Sequence, residues 1–168
     1  TKLRASDGNV RGTFRVGPRP TAVAVRNGLV WVVNNKDHTV TRLRADDGSR
    51  VGTSRVGTAP FGLAFAGEYV GVTNFSDGTV TKLREADGQV RGTFQVGDGP
   101  AGIAFDGVNI WIANSGSSSV TALRPSDGRV LATIPVDKKP FGLETSLTLG
   151  VTRVWVSSFG AGKVTVID

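Results

Sequence analysis

One histidine, no cysteine and fourteen acidic residues limit the chemistry open to this 168-residue chain. His38, in Asn34-Asn35-Lys36-Asp37-His38, has a side chain suited to a general base or a metal ligand, with Asp37 next to it. Two such groups fall short of the three or four converging ligands a zinc ion needs, so neither a metal nor a cofactor is expected. Glu144 is the sharpest break in pattern, because it stands where Ala24, Ala64 and Ala104 stand in the other repeats. It shares its repeat with Lys138-Lys139 and with a four-residue insertion, visible because Trp155 follows Trp111 by 44 residues. A carboxylate there reads either as a ligand-facing group or as a solvent-facing residue of a lengthened hairpin, since insertions usually fall in surface loops. The acidic turns at Ser6-Asp7, Asp46-Asp47 and Ser126-Asp127 raise calcium as a question, and hairpin formation accounts for them more simply. No catalytic residue is assigned.

These groups are carried by a period of 40 residues. Thr1-Lys2-Leu3-Arg4 returns as Thr41-Arg42-Leu43-Arg44, Thr81-Lys82-Leu83-Arg84 and Thr121-Ala122-Leu123-Arg124, and Pro20, Pro60, Pro100 and Pro140 keep the same interval. A fixed period of this size marks solenoids or propellers. Asp7-Gly8, Asp47-Gly48, Asp87-Gly88 and Asp127-Gly128 recur between alternating runs, and Asp-Gly suits the positive φ angles of a tight hairpin turn. From Pro60 the unit reads as strands at Phe61–Phe65 and Tyr69–Thr73 around Ala66-Gly67-Glu68, then Thr79–Arg84 and Val90–Val96. Four short antiparallel strands in 40 residues make one propeller blade. Helical solenoids require a 3.6-residue apolar period, which this chain lacks. The expected fold is therefore all-β, a β-propeller of four-stranded antiparallel blades, with four blades' worth in a single domain spanning 1–168. Terminal strands occupy 1–16, blades occupy 20–56, 60–96 and 100–136, and a partial blade occupies 140–168.

Composition agrees with that reading. Twenty-three Gly and seven Pro, with 20% charged residues, fit a turn-rich β protein. Apolar runs stay far below the ~20 residues of a membrane helix. The lack of Cys excludes disulfides and thiolate metal sites and leaves the redox compartment open. A net charge of +6 with a pI near 10.3 would suit acidic partners. Yet Lys2, Arg4, Arg42, Arg44, Lys82, Arg84 and Arg124 recur once per repeat, as a solubilising strand face does, so nucleic acid is not the expected partner. The chain opens inside the repeat, without a charged-then-apolar leader, which leads us to expect a processed chain or a window from a longer array.

The unit Gly102–Val136, with Pro60-Phe61-Gly62, Pro100-Ala101-Gly102, Pro140-Phe141-Gly142, Val72-Thr73-Asn74, Ile112-Ala113-Asn114 and Thr79-Val80-Thr81-Lys82-Leu83, resembles the repeat of YVTN-type bacterial β-propellers, related to NHL and streptogramin-lyase-like propellers. The resemblance implies an extracellular or periplasmic setting. The lyase-like relatives imply a catalytic His with companion His and Glu residues on neighbouring blades, and this chain offers no such set. Lyase activity would require residues from elsewhere.

Three functions stay open: a noncatalytic binding or scaffold propeller, part of a lyase-like enzyme, or an engineered or homogenised architectural repeat protein. The last is suggested by residues 1–17 and 81–97, which differ at four positions. Strand positions agree among repeats while two sets of loops differ, which locates the expected interaction face. The loops leading into the first strands read Pro18-Arg19, Thr58-Ala59, Asp98-Gly99 and Asp137-Lys138-Lys139; those after the second strands read Asn35–His38, Phe75–Gly78, Ser115–Ser118 and Phe159–Gly162. Propeller geometry puts both on one face. Arg19, His38, Phe75, Lys138 and Phe159, with Glu144, are the candidate contacts for a protein or glycan ligand. The third strand occurs at both ends of the chain, as Thr1–Arg4 and Lys163–Asp168, so ring closure is expected to involve further blades, a four-bladed monomer, or two chains making an eight-bladed ring.

Overall fold

A computed structural model describes residues 1–148 and 150–168. Every regular element among them is a β-strand. The first sheet holds β3 (Pro20–Arg26), β4 (Leu29–Asn34), β5 (Thr39–Arg44) and β6 (Arg50–Arg55). The second holds β7 (Pro60–Ala66), β8 (Tyr69–Asn74), β9 (Thr79–Arg84) and β10 (Val90–Gln95). The third holds β11 (Pro100–Phe105), β12 (Ile110–Asn114), β13 (Ser119–Leu123) and β14 (Val130–Pro135). The fourth has three strands, β15 (Pro140–Thr148), β16 (Val151–Ser158) and β17 (Lys163–Ile167). All four are antiparallel meanders in chain order. A separate hairpin pairs β1 (Lys2–Leu3) with β2 (Val10–Gly12). The strand expected over Val10–Val16 thus stops at Gly12, because its two-residue partner offers no pairing beyond that point.

The second and third sheets bury both broad sides, which is why large apolar side chains stand on both faces of their middle strands, while the first and fourth each leave apolar side chains exposed on one side. Trp31, Val33 and Val40 from the first sheet meet Val70, Val72 and Leu83 from the second, and Trp31 packs edge-on to Phe65 with centroids 6.3 Å apart. Ala66 and Val80 meet Ile110, Ile112 and Leu123 from the third sheet. Val120 meets Val154 and Val156 from the fourth, with Trp111, Leu143 and Ile167 around them. Gly71 stands in the register position of Trp31 and Trp111, and the space is taken by Ile103, whose Cδ1 would lie 3.0 Å from a Cβ there. Each such fully buried aliphatic side chain stabilises the fold by about 1.5–3 kcal/mol.

The outer turns differ from a two-residue hairpin. Gly8, Gly48, Gly88 and Gly128 take positive φ, while the preceding aspartates do not. The Gly88 amide donates to the Arg84 carbonyl at 2.8 Å, closing a wider loop, and Asp87 Oδ1 accepts the Gln89 amide at 3.0 Å. Asp is required there as an acceptor. The Arg84 guanidinium hydrogen-bonds the Asp87 carboxylate, and this contact, helped by the Gln89 amide, holds Asp87 well below the usual carboxylate range. Between sheets, Lys82 Nζ reaches over the Tyr69 ring and donates to Pro125 O at 2.6 Å and Ser126 O at 2.9 Å. Desolvation by this packing lowers the Lys82 pKa.

At the opposite end of the strands a buried asparagine terminates β4, β8 and β12. Asn114 Nδ2 donates to Ser119 Oγ at 3.1 Å and Thr121 Oγ1 at 2.8 Å, and its Oδ1 accepts the Gly97 amide at 3.2 Å. Asn74 does the same with Thr79, Thr81 and Gly57. Asn34 keeps both threonine contacts, but its buried Oδ1 has no partner.

Candidate functional site

The asparagine end carries both sets of variable loops, and the main chain ties them together in pairs. Asn35, Phe75, Ser115 and Phe159 each donate an amide to the carbonyl of Arg19, Ala59, Gly99 and Lys139 respectively, at 2.9, 3.1, 2.9 and 2.9 Å. The four accepting residues all have positive φ, between 51° and 59°, and His38, Gly78, Ser118 and Gly162 in the second set have positive φ between 50° and 65°. One backbone shape therefore serves eight loops of different sequence.

Phe61, at the start of β7, meets Phe141, at the start of β15, edge to face with centroids 5.1 Å apart, and lies 6.3 Å from Phe75. These three rings join the second and fourth sheets across the inner strands of the third. Phe75 and Phe141 remain 38% and 41% exposed, so the cluster presents an apolar surface, and Phe159 stands 82% exposed on its own loop. Arg19, Lys36, Lys138 and Lys139 are exposed in the surrounding loops and have no carboxylate partner among the described residues. Asp77 accepts the Thr58 amide at 2.6 Å, and Asp137 pairs with Lys163 at 3.2 Å, which leaves the cations less compensated.

Of the residues singled out in the sequence, Arg19, Phe75, Lys138 and Phe159 sit in these loops. His38 also lies there, half-buried, and its Nδ1 accepts the Ala59 amide at 3.1 Å, which makes it a latch between the first and second sheets. Glu144 lies elsewhere. It faces Trp155 in the β15–β16 ladder, roughly 13 Å along the strand from Pro140 at about 3.3 Å per residue, and its Oε1 accepts the Thr145 amide. The inserted residues lengthen the β15–β16 hairpin, and Leu149 lies outside the described residues. Phe61 and Phe141 were missed in the sequence. Their signal was the alternation Thr21, Phe61, Ala101, Phe141 after the repeated proline, since a ring in every second repeat has no packing requirement common to all four.

No protein-family model matches the chain, and no curated protein matches it. Solved structures do. The chain superimposes on virginiamycin B lyase from Staphylococcus aureus with a TM-score of 0.76 at 15% identity, covering 89% of this chain and 52% of that one. The WD40 repeats of RRP9 give a TM-score of 0.71 at 15% identity, covering 90% and 52%. The computationally designed Ika4 protein gives 0.79 at 16% identity, covering 95% and 98%. The fold is a β-propeller. Its four sheets are blades, and the YVTN or NHL type is not distinguished at these identities. The chain spans about half the length of the natural propellers it matches.

Proposed function

We propose that this chain is a noncatalytic binding propeller whose loop face takes a segment of another protein, anchored by an apolar or aromatic side chain on Phe61, Phe75 and Phe141. Acidic groups of the same segment meet Arg19, Lys138 and Lys139. The observation that carries this reading is the half-exposed phenylalanine cluster, built from one loop residue and two strand starts on the face that also carries the exposed cations Arg19, Lys138 and Lys139. Exposed aromatic groups with a charged rim are the usual anchors of protein recognition. WD40 repeats are among the structural neighbours, which supports a scaffold role. The lyase reading is weaker because His38 Nδ1 is engaged with the Ala59 amide and no cluster of three or more His, Cys, Asp or Glu residues exists among the described residues.

Peptide and glycan arrays, followed by titration of the best acidic aromatic peptide, test the proposal. Phe75→Ala and Phe141→Ala should each weaken binding roughly tenfold, and added salt should weaken it further. Unchanged affinity in both variants, or binding to glycans alone, would overturn it.

A further inference from the structure

The ring of blades is open on two sides, and those sides match. Ahead of the first blade lies an apolar groove of about 610 Å³, lined by Phe14, Val16, Val23, Val25, Val30 and Leu43. On its far wall stands the β1–β2 hairpin, which docks as the outer strands of a preceding blade would. Lys2 Nζ donates to Ala45 O at 2.9 Å and Asp46 O at 3.0 Å, repeating the reach of Lys82 to Pro125 and Ser126. The Phe14 ring covers Gly48 so closely that a Cβ there would overlap it, as Phe94 covers Gly128. Between hairpin and first blade the two inner strands of a blade have no counterpart among the described residues.

The far side of the fourth blade carries the complementary surface. Trp155 occupies the position of Trp31, yet it is 43% exposed where Trp31 is fully buried. Val164 and Val166 are exposed beside it. The outer edge of β17 is unpaired, whereas the third strand of every other blade pairs with a fourth. The sequence Val10-Arg11-Gly12-Thr13-Phe14 is identical to Val90-Arg91-Gly92-Thr93-Phe94, and the latter fills that fourth position in the second blade.

We propose that a second copy of this chain occupies the groove, its β15–β16 hairpin entering between β1–β2 and the first blade so that two copies close one ring. Trp155 of one copy then packs against Val25 of the other, which stands in the place of Phe65, the ring Trp31 meets. Val10–Val16 adds to the open edge of β17. The competing third strand, Thr1–Arg4, yields because β1 is two residues long and fully exposed, whereas β17 is five residues long and packs Ile167 against the core. Gly17 already lies against Asn34 as Gly57 lies against Asn74, so completing the fourth strand needs only to turn its amide onto the unpartnered Asn34 Oδ1, as Gly57 and Gly97 serve Asn74 and Asn114. The joint is head to tail, so a two-fold ring contains it twice.

Sedimentation of the full 168-residue chain across a concentration series tests this. The expected species is a dimer. Val25→Arg and Trp155→Arg, both at exposed positions that leave the blades able to fold, should each raise the dimer dissociation constant roughly a hundredfold. Mixing the two variants should restore a dimer, through the single joint in which neither arginine lies, and this recovery is a signature of head-to-tail docking. A monomer at every concentration, a mass that climbs beyond two copies, or a mixture no more associated than its components would overturn the proposal. Because the loop face lies apart from this joint, peptide binding by a monomeric variant separates failure here from failure of the binding reading.

Discussion

The joint between the second and third blades and the groove ahead of the first blade use the same positions of the repeat, and their fates are opposite. Ile112 is fully buried and Phe105 packs against its cluster, while Val25, in the place of Phe105, is 63% exposed. Both regions are apolar, so residue type does not set the difference. The neighbour does. In a repeat array each blade supplies half of two interfaces, and the hydrophobic free energy appears only when the adjoining half is present.

The largest test of this contrast is a pair of truncations. Ile112→Ala should lower unfolding free energy by about 2–5 kcal/mol, as large-to-small core changes do, whereas Val25→Ala in dilute solution should shift it by less than about 0.5 kcal/mol. Urea unfolding monitored by tryptophan fluorescence measures both, and comparable losses would erase the distinction. A smaller effect separates the asparagines. Asn114→Ala strands the Gly97 amide and two hydroxyl groups and should cost about 1–3 kcal/mol, while Asn34→Ala should cost less, because its Oδ1 has no partner to lose. Equal falls in melting temperature would contradict this ordering.

The smallest expected effect lies at the outer turn of the second blade, where Ser54 Oγ donates to Gly88 O at 2.6 Å across the joint with the first. The Arg84 hydrogen bond and the Gln89 amide depress the folded-state pKa of Asp87, so its stabilising contribution is complete above its unfolded value of about 3.9 and is lost as pH falls below it. Asp87→Asn should therefore narrow the stability difference between neutral and strongly acidic solution. Parallel acid melting curves for the variant and the parent would contradict that.

The repeat was legible because its markers are backbone requirements: glycine at positive φ, proline at strand starts, asparagine at strand ends. Register, strand order and the shared loop face follow from them. The surface proposed to bind was only half legible. Phe75 and Phe159 stood out as large apolar residues in loops, but Phe61 and Phe141 sit at strand starts, where an apolar side chain usually means core. His38 and Glu144 drew notice for their chemistry, and the neighbours the structure gives them, an amide leading into the next blade and a tryptophan on the adjacent strand, are invisible in one dimension. The outer turns were read as two-residue hairpins because Asp-Gly supports those, and the carbonyl bond four residues back shows the wider loop.

The paired amide-to-carbonyl bonds that shape the loop face draw on no side chain at the loop tips. Substituents that take no part in the frame can be exchanged without disturbing it, provided the left-handed residues and the cross-loop acceptors His38, Asp77 and Ser117 are kept. Selection, or a protein engineer, can thus vary this face one blade at a time, and a duplicated unit arrives with its loops already oriented.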